Sequence, residues 1–221
     1  MTTIAIIGAT GPLGFGLALR WARAGREVIM GSRRLQAAEQ ARTALLERLP
    51  DAGGCVQAME NADAATAADL VMLAVPFAQQ AQALDKIATE LTGKILVDTS
   101  VPLVPPKVGR VQLPAQGCSG LAVQARVGTD VRVVSAFQNV AADKLQSLEP
   151  LDCDVLVCGD DRDAREQVIA LVEAAGLRGF HAGPLANAVA AEALTSILIT
   201  INRQFQCQSG IRIVGTGRDA P

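Results

Sequence analysis

The fold of this chain is decided by its first segment, which reads Thr3-Ile4-Ala5-Ile6-Ile7-Gly8-Ala9-Thr10-Gly11-Pro12-Leu13-Gly14. The apolar run 3–7 is rich in β-branched residues, which is typical of a strand buried on both faces. The segment Phe15–Ala24 then has the apolar spacing of a helix, and Gly25 is typical of a helix C-terminus. A buried strand, a glycine-rich turn and a helix therefore open the chain.

The glycine-rich turn matches the Gly-x-Gly-x-x-Gly pattern of dinucleotide-binding proteins, except that Ala9 stands at the first glycine. Gly11 would let the backbone approach a diphosphate, and Gly14 would let the helix pack closely on the strand. Pro12 suits the first turn of a helix, whose N–H groups and dipole attract phosphate. A tight turn without a ligand is the alternative. We expect the diphosphate to bind at Gly8, Ala9, Thr10, Gly11, Pro12, Leu13 and Gly14.

The nucleotide is selected at the end of the second predicted strand, Glu27–Met30. An NAD site usually has an acidic residue there, which binds the ribose hydroxyls. This chain has Gly31-Ser32-Arg33-Arg34 instead, and a hydroxyl with guanidinium groups binds a 2′-phosphate well. A solvated basic turn is the alternative. We therefore predict NADP, bound first by Ser32 and Arg33 and then by Arg34.

The rest of the chain alternates strands with helices, which predicts right-handed βαβ units and a parallel sheet. The fold class expected is α/β: a Rossmann-type, mostly parallel twisted sheet with helices on both faces and a small C-terminal helical extension. We expect a dinucleotide-binding domain over residues 1–150, and over 151–221 an extension that forms part of a pocket and a dimer contact. Val101–Gly117, which holds four prolines, is predicted to be a loop. The further predicted strands are Leu70–Val75, Lys94–Asp98, Val131–Phe137 and Asp154–Cys158, and the further helices are Leu35–Leu49, Asn61–Ala68, Gln79–Leu91, Ala164–Ala175 and Ala186–Phe205.

Composition excludes several classes of function. The 221 residues are 50% hydrophobic, so the chain is globular rather than disordered. A net charge of −2 argues against a broad nucleic-acid surface. The chain has no tyrosine and one histidine, His181, which excludes a tyrosine proton donor and zinc sites with two or more histidines. Asp160 and Asp161 are expected to cap a helix rather than to bind a metal, and His181 to be structural.

The cysteines and the two ends of the chain bear on its location. The cysteine count is odd, with no Cys-x-x-Cys motif, and the first strand begins at residue 3, so we expect reduced thiols, no secretory leader and a cytoplasmic protein. Glu192 interrupts the C-terminal apolar helix, so we expect no membrane span. The cysteines are Cys55, Cys118, Cys153, Cys158 and Cys207.

From end to end, the chain resembles the NADPH-dependent reductases of coenzyme F420, an 8-hydroxy-5-deazaflavin. The more specific similarities are the runs Cys153–Asp161 and Ala182–Leu185. The other matching segments are Gly8–Gly14, Gly31–Arg33, Leu73–Pro76, Val97–Leu103, Val133–Phe137 and Ile201–Arg203.

The resemblance implies a hydride transfer between C4 of the nicotinamide and C5 of the deazaflavin. Such a transfer needs positioning and exclusion of water more than an acid or base, so no catalytic residue is expected. The resemblance also implies a homodimer, with the contact placed on the C-terminal helix. The deazaflavin is expected near the loop after Phe137. Besides the residues already named, the expected cofactor-binding residues are Ala74, Val75, Pro76, Val101, Ala136, Gln138 and Asn139.

Two departures from the family pattern leave alternatives open. Gln138 stands where the family usually has a histidine, and Leu35-Gln36-Ala37 lacks a family lysine that would support the 2′-phosphate. The first departure concerns the acceptor, and the second could weaken NADP binding. An NADPH-dependent reductase of another acceptor (a flavin, a quinone or a small carbonyl compound) and a redox sensor that binds NADP without turnover are the alternatives.

Overall fold

The computed structural model describes residues 2–216, and within them it contains eight strands and eight α-helices. The strands are β1 (Ile4–Ile7), β2 (Val28–Ser32), β3 (Val56–Glu60), β4 (Leu70–Leu73), β5 (Ile95–Asp98), β6 (Arg132–Ser135), β7 (Asp154–Gly159) and β8 (Arg178–His181). The helices are α1 (Pro12–Arg23), α2 (Leu35–Arg48), α3 (Asn61–Ala67), α4 (Phe77–Asp85), α5 (Ser119–Val127), α6 (Ala142–Gln146), α7 (Arg162–Ala174) and α8 (Ala188–Phe205).

All eight strands form one sheet in the order β3-β2-β1-β4-β5-β6-β7-β8. The first six are mutually parallel, and their order is that of a Rossmann dinucleotide-binding fold. β7 runs antiparallel to β6, and β8 is parallel to β7. The predicted α/β class with a mostly parallel sheet is therefore confirmed. The predicted domain boundary at 150/151 falls between α6 and β7.

The register of the three central strands brings distant segments together. Ile7, the last residue of β1, lies opposite Gly31 of β2 and Leu73 of β4. The residues that follow these strands therefore share the carboxyl edge of the sheet. The strand order reverses between β1 and β4, and ligands of open α/β sheets bind at such a point.

Hydrophobic cores cover both faces of the sheet. Ile4 and Ile6 belong to one core, and Ala5 and Ile7, whose side chains point the other way, belong to the second. All four are fully buried. This burial explains why β1 is a continuous apolar run rather than an alternating one.

A buried arginine and an aromatic pair fix α1 against the rest of the fold. The Arg20 guanidinium donates hydrogen bonds to the carbonyls of Leu145, Ala175 and Glu149. The fully buried Trp21 ring packs edge to face against Phe137, with 6.1 Å between ring centroids. The Trp21 indole N–H also donates to the Leu171 carbonyl at 2.8 Å. The helix that follows the glycine turn therefore has a fixed position.

Several elements differ from those predicted. β3, β8, α5 and α6 were not predicted, and the single helix predicted over Gln79–Leu91 is wrong in its second half. There, α4 ends at Asp85 and a 3₁₀ turn occupies Ala88–Leu91. The predicted loop Val101–Gly117 is confirmed, since it contains no helix or strand.

The long C-terminal helix tests the expectation about membranes. Within residues 2–216, Leu185–Phe205 is the one helical segment long and apolar enough to cross a membrane by length and composition. Glu192 at its centre is 1% exposed and accepts hydrogen bonds from the backbone of α5. One face of α8 therefore packs against α5, whereas Ile197 and Phe205 of the same helix are exposed.

Candidate functional site

The three glycines of the turn differ in how much space the fold leaves for a side chain. Gly8 has φ +95°, and a Cβ there would lie 2.5 Å from the Ala74 carbonyl oxygen. A Cβ at Gly14 would lie 2.6 Å from the Gly8 oxygen, so this glycine is required by the packing of α1 on β1. A Cβ at Gly11 would come no closer than 3.4 Å to any atom of the protein. The fold therefore requires Gly8 and Gly14, whereas it would tolerate a side chain at Gly11.

The first turn of α1 offers hydrogen-bond donors beside Gly11. Pro12 occupies the first helical position, where its missing N–H costs nothing. Within residues 2–216, the N–H groups of Leu13 and Gly14 have no backbone acceptor. Free N–H groups and the positive end of a helix dipole together attract an anion.

A pocket with a cavity volume of about 230 Å³ lies at the carboxyl edge of the sheet, over the glycine turn. It is lined by Gly8, Thr10, Gly11, Ser32, Arg33, Asn61, Ala74, Val75, Pro76, Gln79, Gln82, Ala83 and Lys86. The structure therefore brings the glycine turn, the end of β2 and the end of β4 into one site.

The three residues predicted to hold a 2′-phosphate take different positions. Ser32 is 8% exposed at the end of β2, and Arg33 follows it, exposed, at the pocket wall. Arg34 is the N-cap residue of α2 and is not among the residues that line the pocket. Ser32 and Arg33 thus line the pocket, and Arg34 follows them in the sequence without lining it.

Asn61 lines the pocket as well, although the sequence analysis assigned it no role. Its Oδ1 atom is the one buried side-chain N or O atom, within the described residues, that has no hydrogen-bond partner. An unpaired buried polar atom costs roughly 1–3 kcal/mol, so it implies a partner that the protein does not itself supply. Asn61 thus carries an unpaired acceptor oxygen next to the pocket.

The remaining predicted residues divide into two groups. Ala74, Val75 and Pro76 follow β4 and line the pocket, whereas Val101 lines a separate small cleft between the 101–113 segment and α8. Ala136 is fully buried after β6.

Gln138 and Asn139 make hydrogen bonds within the protein. Gln138 Nε2 donates to the Asp98 carbonyl and to Ser135 Oγ, and Asn139 Nδ2 donates to the Ala191 carbonyl at 2.8 Å. Both residues are 6% exposed.

A buried polar network lies beside this edge of the sheet. Asp98 at the end of β5 accepts hydrogen bonds from Ser119 Oγ at 2.7 Å and Gln80 Nε2 at 3.0 Å. Glu192 of α8 accepts from the backbone N–H groups of Ser119 and Gly120 at 2.7 and 3.1 Å. The network joins α4, β5, α5 and α8, and Glu192 caps the N-terminus of α5.

Burial raises the pKa of both carboxyl groups in this network. The pKa of Glu192 rises to about 7, because burial outweighs the two backbone hydrogen bonds and the charge of Asp98 raises it further. The pKa of Asp98 is also raised by burial, although hydrogen bonds from Ser119, Ser100 and Gln80 oppose the shift.

The raised pKa of Glu192 predicts a pH-dependent stability. The folded protein holds the Glu192 proton more tightly than the unfolded chain, so the free energy of unfolding is highest below the unfolded pKa of about 4.5 and falls as the pH rises through about 7. The fall is at most about 3 kcal/mol. Glu192→Gln should flatten this profile in denaturant titrations at pH 5 to 8, leaving a residual slope from Asp98. The exposed Glu173→Gln is the control, and identical profiles for wild type and Glu192→Gln would contradict the prediction.

The acidic pair and the histidine also have definite places. Asp161 is the N-cap of α7 and accepts from the Ala164 N–H at 2.6 Å, so the predicted capping role is confirmed for this residue. Asp160 instead accepts from the Leu185 N–H. His181 ends β8 at the surface, where its Nδ1 accepts from Arg165. Within the described residues, no three His, Cys, Asp or Glu side chains form a group that could hold a metal.

The fold and this pocket define a dinucleotide-binding protein of the Rossmann type. The family described as "NADP oxidoreductase coenzyme F420-dependent" matches residues 3–102. The F420-dependent NADP reductase of Methanocaldococcus jannaschii is 39% identical over 95% of this chain and 97% of its own length. That of Methanothermobacter thermautotrophicus is also 39% identical, over 95% of this chain and 94% of its own. The chain belongs to the F420-dependent NADP oxidoreductase family.

A solved structure supports the same conclusion about the fold. An Arthrobacter protein, assigned in its description to the F420-dependent NADP reductases, superposes with a TM-score of 0.81 at 26% identity. The superposition covers 97% of this chain and all of the Arthrobacter chain. The fold is therefore shared from end to end, including the strands beyond β6.

Proposed function

We propose that this protein catalyses the reversible transfer of a hydride between NADPH and oxidised coenzyme F420. The observation that carries the proposal is the near-complete coverage, at 39% identity, of two F420-dependent NADP reductases. The pocket supports it, because a glycine turn and the Ser32–Arg33 pair line one site with no acidic residue from the described chain.

Within this proposal, the pocket residues bind NADP. The turn from Gly8 to Gly14 receives the diphosphate, and Ser32 and Arg33 receive the 2′-phosphate, with Arg34 adding charge from further away. The nicotinamide extends along the strand ends towards Val101 and Ala136. Gln138 and Asn139 contribute indirectly. Gln138 holds the ends of β5 and β6 in place, and Asn139 holds the start of α8. The strand-end residues that line the pocket are Ala74, Val75 and Pro76.

The proposed reaction needs little acid or base catalysis from the protein. NADPH gives a hydride from C4 of its nicotinamide to C5 of the deazaflavin, and one proton from solvent balances the reduced product. The rate then depends on holding two rings at contact distance and on excluding water. This chemistry agrees with a chain that has no tyrosine and a single histidine, which lies at the surface.

The direct test is the loss of oxidised deazaflavin absorbance with NADPH in excess. We expect bleaching with the wild-type protein. Reduction of a flavin, quinone or carbonyl compound instead, with NADPH binding intact, would favour an NADPH-dependent reductase of another acceptor. Tight NADPH binding with no hydride transfer to any of these acceptors would favour a redox sensor.

Replacing Gln138 tests whether a side chain at this position takes part in proton transfer. A carboxamide cannot exchange a proton near neutral pH, and Gln138 Nε2 already donates two hydrogen bonds within the core. Gln138→Ala should lower the unfolding free energy by roughly 1–3 kcal/mol and the rate only modestly, while Gln138→His should leave the rate similar or raise it. A near-total loss of rate in a folded Gln138→Ala variant would contradict the expectation that the contribution of this side chain to the rate is modest.

We further propose a cytoplasmic homodimer whose contact lies on α8. Exposed apolar side chains cluster on this helix and on the segment before α5, among them Ile197 at 50% and Leu113 at 54%. In this proposal, residues 1–150 bind NADP, and residues 151–221 complete the deazaflavin pocket and the subunit contact.

A further inference from the structure

Two cationic side chains from different elements line the nucleotide pocket. Arg33 follows β2, and Lys86 is the C-cap residue of α4. The other described residues that line the pocket are neutral, and none of them is acidic. The pocket lining therefore has a net positive charge and suits an anion.

The positive charge of Lys86 is not neutralised by its neighbours. Asp85, the adjacent acidic residue, forms an ion pair with Arg126, whose Nε lies 2.9 Å from Asp85 Oδ1. Within residues 2–216, the Lys86 ammonium has neither a carboxylate partner nor a carbonyl acceptor. Its donors remain available to a ligand in the pocket.

Two cations in the pocket would distinguish a nucleotide with a ribose 2′-phosphate from one without it. A ribose 2′-phosphate is a monoester with a charge of about −2 near neutral pH and several acceptor oxygens. Arg33 can bind two of these oxygens through its planar fork, and an ammonium can bind a third as a point charge. A ribose without the phosphate is neutral, so a second cation adds little to its binding.

We propose that Lys86 is a specificity-determining residue that binds the adenosine 2′-phosphate together with Arg33 and Ser32. The proposal rests on the proposed function, because it assumes that the nucleotide pocket receives NADP. It assigns to α4 a part in choosing between NADP and NAD. Asn61, whose Oδ1 lacks a donor in the same pocket, would then face the ribose or base of the same ligand.

The test compares two small probes that differ by one phosphate, adenosine 2′,5′-bisphosphate and AMP. Their dissociation constants are measured by calorimetry for wild type, Lys86→Ala and Lys86→Arg. The matched control is Lys107→Ala, an exposed lysine outside the pocket. Thermal unfolding of each variant checks that the fold is kept, which is expected because Lys86 is exposed.

We expect Lys86→Ala to weaken the bisphosphate about tenfold, as the loss of one charge-assisted hydrogen bond does. AMP binding should change less than about twofold, Lys86→Arg should keep most of the preference, and Lys107→Ala should match wild type. Equal losses for both probes, or no loss for the bisphosphate, would overturn the role of Lys86 and leave the proposed function standing. A wild-type protein that binds both probes equally would overturn the NADP proposal itself, and the role of Lys86 with it.

Discussion

Replacing Gly11 with valine is expected to abolish NADPH binding and to leave the fold intact. A Cβ at this position would lie 3.4 Å from the Gly8 oxygen and 4.0 Å from the Ala74 oxygen, and its φ of −81° is open to any residue. The backbone conformation and the contacts of an added Cβ therefore do not exclude a side chain at this position. The branched group would occupy the space through which a diphosphate reaches the N–H groups of the first turn of α1.

Two further glycine variants make this experiment specific. Gly53→Val is the matched control, because Gly53 has no atom within 4 Å of an added Cβ and lies outside the pocket. Gly14→Val should instead lose stability, because its Cβ would lie 2.6 Å from backbone. Titration with NADPH and thermal unfolding separate the two effects. A Gly11→Val protein that binds NADPH like wild type would show that the turn is not the phosphate site.

Removing the Arg33 guanidinium should reduce the preference for NADPH over NADH by roughly tenfold to a hundredfold. A hydrogen bond to a charged group contributes roughly 1.5–3 kcal/mol, and each 1.4 kcal/mol is tenfold in affinity. NADH lacks the 2′-phosphate, so Arg33→Ala should change its binding little. The measurement is a titration of each nucleotide against wild type and variant.

Arg34 supplies the control for this prediction, since it is the same residue type one position further along. It occupies the N-cap position of α2 without a side-chain capping bond and does not line the pocket, so Arg34→Ala should keep most of the nucleotide preference. Equal affinities of the wild-type protein for NADPH and NADH would contradict the assignment of Ser32 and Arg33 to the 2′-phosphate. A larger effect at Arg34 than at Arg33 would reverse their order.

The sequence was informative where burial leaves a uniform pattern. β1, β4 and β5 are buried at every position. β1 and β4 are therefore short continuous apolar runs, and β5 is apolar up to Asp98, so all three could be identified as strands. β3 and β8 are the first and last strands of the sheet, and their residues are partly exposed. Val56-Gln57-Ala58-Met59-Glu60 and Arg178-Gly179-Phe180-His181 therefore carry no continuous apolar signal. Helix α5 is short and begins directly after a long loop, so its sequence pattern was also not recognised.

The site was predictable only where it is local in sequence. The glycine turn and the Ser32–Arg33 pair each follow a recognisable strand, and the parallel register brings them together. Asn61 and Lys86 enter the pocket from α3 and α4, so only the tertiary structure identifies them. The predicted helix Gln79–Leu91 also placed Lys86 in the middle of a helix, whereas α4 ends at Asp85, just before it.

The 2′-phosphate site illustrates the same limit. The segment 35–37 lacks a lysine, and sequence alone suggested weaker NADP binding for that reason. A cation from a different element, such as Lys86 of α4, can line the same pocket without leaving any trace in the local motif. Gln138 and Asn139 pose the opposite problem, because a sequence cannot distinguish a buried amide bonded within the core from one that faces a ligand.

The position of Trp21 gives the protein a single intrinsic fluorophore. The chain has one tryptophan and no tyrosine, so its ultraviolet emission comes from one indole. That indole is fully buried against Phe137, and its helix starts at the phosphate-binding turn. Trp21 lies nine positions after Pro12 along the helix, a rise of roughly 14 Å. The emission should therefore report the exposure of this one core during unfolding, and its quenching by a reduced nicotinamide should report occupancy of the neighbouring pocket without any added label.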